Sequence, residues 1–178
     1  VGAMEPGYTT SMTDPTNQPN RHAEFERERG VHSVDVTASV AHVAAAVGAE
    51  ENQPARIQAM FRVLADASVP VFFVKLHGQD VTFCVEADRL DDVERVLEGA
   101  GFACRTRRDL AIVTVHAGTM RDLIGIMVRI ADALQMAQAR MYAVGDSHSS
   151  VQCLIDGDRT TAAVKQLKAA FGLEAAGE

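Results

Sequence analysis

The chain has 178 residues, 47 % hydrophobic and 23 % charged, proportions of an ordinary globular protein that exclude fibrous and wholly disordered classes. Its formal charge of −7 argues against nucleic acid as a partner, because phosphate binding needs clustered Lys and Arg. Three cysteines without C-x-x-C spacing, no apolar run of the roughly 20 residues that span a bilayer, and no signal-peptide plan together predict no zinc cluster, no disulfide framework, no membrane partner and a cytoplasmic location.

Residues 1–30 hold Pro6, Gly7, Pro15, Pro19 and Gly30 among polar residues, with few aliphatic side chains to bury. They are expected to form a mobile tail, with at most a short exposed helix over 21–30. From Val31 the pattern sharpens. Val34, Val36 and Ala38 alternate as in a strand over Val31 to Val40, and a second apolar run, Val43 to Val47, stops at Gly48, so two strands are expected there. After a polar loop, Pro54 suits a first helical turn, and Ile57, Met60, Phe61 and Leu64 recur at helical spacing. Val69 to Leu76, the turn His77-Gly78-Gln79-Asp80, and Val81, Phe83 and Val85 read as a hairpin. A helix follows from Asp88 with Leu90, Val93, Val96 and Leu97 inward, and Phe102 to Arg107 returns as a strand. That completes one βαββαβ unit.

The same order begins again at once. Leu110 to Val115 reads as a strand and 118–122 as a loop, with a helix marked by Leu123, Ile126, Met127, Ile130 and Leu134. A hairpin follows from Ala137 to Val144 and Ser149 to Ile155, and Ala163, Val164, Leu167 and Phe171 mark the last helix. The second unit then lacks its closing strand, while the strand Val31 to Val40 stands unassigned before the first. The economical topology lets that early strand fill the late vacancy and so interlocks the two units.

The stretch from Val113 to Leu134 carries Gly118, Met120, Arg121, Gly125 and Arg129 in the order strand, G-x-M-R loop, helix, and the last helix ends in Phe171-Gly172-Leu173. In this the second unit resembles the C-terminal regulatory ACT domains of aspartokinase. The first unit is similar in order, with Phe61 to Ala67 matching the family's helix. Asn52-Gln53-Pro54-Ala55 stands where the family has Asp-x-Pro-Gly, and Val69-Pro70 and Ala137-Gln138 stand where it has Ile-Asn. The fold implied is α+β: two tandem ferredoxin-like βαββαβ ACT units, interlocked, with antiparallel sheets and helices on one face. The boundaries expected are a tail over 1–30, a strand over 31–40 completing the second unit, a first ACT domain over 41–109, a second over 110–174 and a tail over 175–178.

The resemblance also implies where a ligand sits. The loop between first strand and first helix ends at a helix N-terminus, whose backbone N–H groups suit an amino-acid carboxylate. The candidate effector-binding residues are Asn52, Gln53, Pro54 and Ala55 in the first unit and Gly118, Met120, Asp122 and Gly125 in the second, with Gln138 at the start of the second unit's second strand. Asp122 would meet an ammonium group. The substitutions at Asn52, Ala55 and Pro70 point away from an unaltered lysine or threonine site, and Gly118 and Gly125 also read as turn and packing residues, Asp122 as an N-cap, and Asn52 and Gln138 as solvated.

No kinase domain fits in 30 polar residues, and neither a Gly-rich phosphate loop nor a paired acidic set for magnesium is present. The expectation is a regulatory protein that is not an enzyme, without catalytic residues, metal or cofactor. It would bind a small amino acid of the aspartate family, such as lysine or threonine, and act as a homodimer. The alternative is a ligand-free subunit that docks on a separate kinase or other metabolic enzyme. His116 and His148, without a carboxylate or cysteine at ligand spacing, make a weak metal pair. Cys84 and Cys153 read as core, Asp88, Asp91 and Asp92 as a solvated helix start, and most methionines as core.

Overall fold

The computed structural model describes residues 30–48, 51–120 and 123–173. The expected tails, the short helix over 21–30, and Arg121 and Asp122 lie outside the described residues, apart from Gly30. In chain order the elements are β1 (Val31–Ala46), α1 (Gln53–Asp66), β2 (Phe72–His77), β3 (Asp80–Glu86), α2 (Leu90–Gly99) and β4 (Cys104–Ala117). They continue with α3 (Ile126–Met136), β5 (Met141–Asp146), β6 (Ser150–Asp156) and α4 (Thr160–Phe171). A 3₁₀ turn leads into α2 at Ala87–Arg89 and another into α4 at Gly157–Arg159. The helix expected to begin at Asp88 therefore opens as 3₁₀ and becomes α-helical at Leu90.

All six strands form one antiparallel sheet in the order β2-β3-β1-β4-β6-β5. The two long central strands belong to both units. The C-terminal half of β1 pairs with β3, from Val40 opposite Glu86 to Ala46 opposite Asp80. The N-terminal half pairs with the end of β4, from Val34 opposite Val115 to Thr37 opposite Ile112. Val31 to Thr37 thereby supplies the strand that the second βαββαβ unit lacks.

The two strands expected on either side of Val40 are one strand, and so are those expected over Phe102 to Arg107 and Leu110 to Val115. The apolar phase shifts from even positions, Val34 and Val36, to odd ones, Ala41, Val43 and Ala45. In sequence that shift looks like a break; in the structure it is a bulge. Ser39 takes φ 55 in β1 and Asp109 takes φ 58 in β4, and the β1–β4 register shifts around Val40. A bulge passes alternate side chains to the opposite face without interrupting the ladder.

The same spacing that separates Ser39 from Asp109 separates Ser68 from Gln138, both at positive φ after a helix. It also separates the pair Val40/Glu86 from Leu110/Asp156, and Thr37/Ile112 from Arg107/His42. The molecule therefore has an internal two-fold relation centred between the bulges.

Each unit has its own core on the helix-covered face. In the first, Val43, Val81, Phe83 and Val85 meet Met60, Leu64, Leu90, Val93 and Leu97. In the second, Val34, Val113, Val151 and Ile155 meet Ile126, Ile130, Leu134, Ala163 and Leu167. A third cluster lies on the face without helices, where Val40, Cys84, Leu110, Ile112 and Leu154 are buried beside Phe72, Phe73, Tyr142 and Ala143. Edge strands β2 and β5 curl toward each other there: a Cβ placed on Gly145 would lie 2.7 Å from Phe73 Cε2. The sheet thus partly covers its own helix-free face.

Two smaller expectations change. Leu123 precedes α3 instead of belonging to it, because Gly125 at φ 76 fixes the start of the helix at Ile126. Of the methionines, Met60 and Met120 are core, whereas Met127, Met136 and Met141 are exposed.

Candidate functional site

The loop after β4 is built against the β5–β6 hairpin. The Ala117 amide donates to Ser149 O at 3.0 Å and the Met120 amide to His148 O at 2.8 Å. The hairpin turn is held by Ser147, whose Oγ accepts from the amides of Ser149 (3.3 Å) and Ser150 (3.0 Å). Leu123 N–H donates to Met120 O at 3.1 Å, and the chain then enters α3 through Gly125 in the left-handed region, where a side chain would be strained. Among the described residues no side chain caps the start of α3, and no acidic residue lies in its first turn. Its first amides and positive dipole end are therefore unmatched by a side-chain acceptor from the described residues.

Beside this helix start is a cavity of about 670 Å³, lined by Met120, Ile126, Met127, Val144, Asp146, Ser147, His148 and Val151. Apolar walls face a polar rim of carboxylate, hydroxyl and imidazole. Chemically the arrangement suits a group with anionic density toward the helix start and cationic density toward Asp146. Arg129 fixes the helix behind it: its guanidinium lies 4.5 Å from the Phe171 ring centroid and donates to Ala170 O, which locks α3 to α4.

Of the sequence candidates in the second unit, Met120 lines this cavity, Gly118 lies in the loop leading to it and Gly125 precedes the helix. Asp122 lies outside the described residues. Gln138 is exposed at φ 53 beyond the C-terminal end of α3, about 16 Å along the helix from its start. The first-unit residues sit at the other end of the sheet. Asn52 precedes α1 without capping it by its side chain, Pro54 occupies the first turn with Ala55 after it, and Gln53 Nε2 donates to Gly78 O in the β2–β3 turn. Arg56 stacks 4.6 Å from the Phe102 ring centroid and reaches Gly101 O. In the first unit, then, the Gln53 side chain bridges loop and hairpin where the second unit keeps a cavity. Among the described residues of one chain the two sets lie at opposite ends of β1 and come together in no single site.

Sequence reasoning missed Asp146 and Ser147 as lining residues, and His148, read there only as half of a weak metal pair with His116, lines the cavity as well. The structure instead pairs His116 Nε2 with Asp35 Oδ2 at 3.0 Å and stacks it on His32. The signal that locates the lining residues is topological: in a βαββαβ unit the first loop and the hairpin turn fall at one end of the sheet. Among the described residues no group of three or more His, Cys, Asp or Glu side chains could hold a metal. Burial pushes the Cys84 thiol up to about 12 and Cys153 up to about 11, which leaves neither poised as a nucleophile.

No protein-family model matches the chain. Aspartokinase 1 of Bacillus subtilis is 22 % identical over 114 residues, 64 % of this chain; the chain spans about a quarter of that relative's length, 28 %. The regulatory subunit of aspartate kinase from Thermus flavus superposes with a TM-score of 0.72 at 18 % identity, over 80 % of this chain and 99 % of that one. A structure of aspartokinase alpha and beta subunits gives 0.72 at 19 % identity, with the same coverage. The shared sheet, the interlocked strand and this likeness establish that the chain has the paired ACT fold of aspartate kinase regulatory subunits.

Proposed function

We propose that the chain is a non-catalytic regulatory protein that senses a small amino acid, of the aspartate family such as lysine or threonine, in the cavity at the start of α3. The observation that carries this reading is the meeting, across one cavity, of Asp146 with a helix start that no described side chain caps. The amino-acid carboxylate accepts from the first amides of α3, the ammonium group faces Asp146, and the side chain lies against Met120 and Val151. Binding there ties the loop after β4 to the β5–β6 hairpin, and β4 carries the change to the first unit. The unit acts as a homodimer in the cytoplasm; among the described residues no helix is long and apolar enough to cross a membrane.

A second reading is a subunit that docks on a separate kinase chain. Ile124, Val128 and Met136, exposed on and beside α3, favour it, as does the likeness to a structure of alpha and beta subunits. A thermal-shift screen against the twenty amino acids separates the two. A ligand at a hundred times its Kd stabilises the folded state by about 2.7 kcal/mol, a rise in Tm of about 5–10 °C at this chain length. The shift should appear with one or two amino acids and vanish in Asp146→Asn. No shift with any of them, together with co-purification of a kinase chain, selects the docking subunit.

A further inference from the structure

The internal two-fold relation generates a second pair of equivalent places, at the bulges, and they are not alike. In the second unit the place is filled by the chain itself. Tyr142 donates its hydroxyl proton to Asp156 at 2.6 Å, and the Arg140 amide donates to the same carboxylate at 3.1 Å. The Arg107 guanidinium lies 4.5 Å from the Tyr142 ring centroid and that of Arg140 lies 5.2 Å from it. The ring carries the stacked guanidinium and its hydroxyl holds the carboxylate beside it, so this place has its cation supplied in cis.

In the first unit the equivalents of Tyr142, Asp156, Arg107 and Arg140 are Phe72, Glu86, Thr37 and Pro70. The ring and the carboxylate remain; the hydroxyl, the guanidinium and the amide donor are gone. What is left is an open cleft of about 530 Å³ whose lining includes Thr37, Val40, Phe72, Glu86, Asp88 and Ile112. Neither Glu86 nor Asp88 makes an ion pair with a described residue. The cleft shares no lining residue with the cavity at α3.

We infer that this cleft binds the guanidinium or ammonium end of a small cationic ligand, stacked on Phe72 and paired with Glu86, in the place that Arg107 takes in the other unit. The ligand's alkyl part lies against Val40 and Ile112. The site is independent of the amino-acid cavity, so either can fail without the other.

The test is a ¹H–¹⁵N NMR titration of the full chain with propylguanidinium and with its neutral isostere propylurea. Propylguanidinium should give saturable shifts at the amides of Ser39, Glu86 and Ala87 with a Kd of about 1 mM, the range of a small fragment. Propylurea should give none, and Glu86→Gln should weaken the cation about tenfold. The double variant Thr37→Arg with Phe72→Tyr grafts the second unit's own plug and should abolish binding while the protein stays folded. Equal shifts with both probes, no saturable shift at these amides up to about ten times that Kd, or unchanged affinity in Glu86→Gln would overturn the inference. Glu86→Gln decides the matter if the double variant fails to fold.

Discussion

Gly145 and Phe73 lie on β5 and β2, the opposite edges of the sheet, so replacing Gly145 with Ala tests whether those edges meet. Gly145 is not among the residues at positive φ, and its backbone accepts an L side chain. On backbone grounds alone Gly145→Ala should stabilise the protein by about 0.4–1 kcal/mol, because the unfolded chain loses freedom. The contact argues the reverse. The new Cβ would lie 2.7 Å from Phe73 Cε2 and 3.4 Å from Lys75 Nζ. A carbon pair at 2.7 Å must open to roughly 3.5–4.0 Å, so the ring has to move by about 1 Å. Its freedom to do so is limited, since Phe73 packs against the central cluster and its own backbone is held at φ 55 in a bulge. Overpacking of this kind costs about 1–3 kcal/mol, leaving a net loss of about 0.5–2 kcal/mol. For a chain of this length that lowers Tm by about 1–8 °C in a calorimetric or circular-dichroism melt. Removing the ring should reverse the sign: in a Phe73→Ala background, Gly145→Ala should be neutral or stabilising, and the double-mutant cycle should show the coupling. A rise in Tm of equal size in both backgrounds would refute the closure of the sheet.

His42, opposite Arg107 in the β1–β4 ladder, has its pKa pushed below 6.5, chiefly by burial and then by the charges of Arg107 and His77. The unfolded chain therefore takes up a proton near 6.5 that the folded chain refuses, so this contribution to stability is whole above that pH and falls as pH drops toward the lower folded value. The slope cannot exceed about 1.4 kcal/mol per pH unit, and His42→Asn should flatten the urea midpoint between pH 7.5 and about 5.5. Tyr142, one of two tyrosines, is pushed above its usual pKa of about 10, because ionisation would end its hydrogen bond to Asp156 and set two anions side by side. An alkaline absorbance titration should show one phenol ionising late, and Asp156→Asn should bring it down; an unchanged titration would show that the hydroxyl does not bond Asp156.

The interlocked topology was legible because two patterns met: a repeat of element order and a strand left over at the front. Helix faces such as Met60, Leu64 and Ile130 were legible from their spacing. The unbroken β1 and β4 were not, because a bulge and a strand break leave the same mark in a sequence, a shift in the parity of apolar positions, and only the ladder at Val40/Leu110 tells them apart. The site was half legible. Glycine at 118 and 125 announces a loop that feeds a helix, but Asp146 and His148 are ordinary turn residues until the fold sets their hairpin beside that loop.

The two units share one fold and differ in which place each leaves open. In the first, Gln53 bridges the loop to the hairpin at Gly78, while the cleft at Ser39 lacks a plug. In the second, the cavity at the loop is open, while Arg107, Arg140 and Tyr142 fill the equivalent of the cleft. Each closed place is closed by polar side chains in specific contacts, not by collapse of the backbone, so the substitutions reach the sites without disturbing the cores. The closing residues of the second unit come from a long strand and an edge strand: Arg107 from β4, Tyr142 from β5. Because β1 and β4 run through both units, a ligand that gripped the first cleft would press on Val40 and Ser39, the turning point of the strand whose other half completes the second unit's sheet. One chain thus holds two different open places joined by a shared ladder, an arrangement that two identical units could not provide.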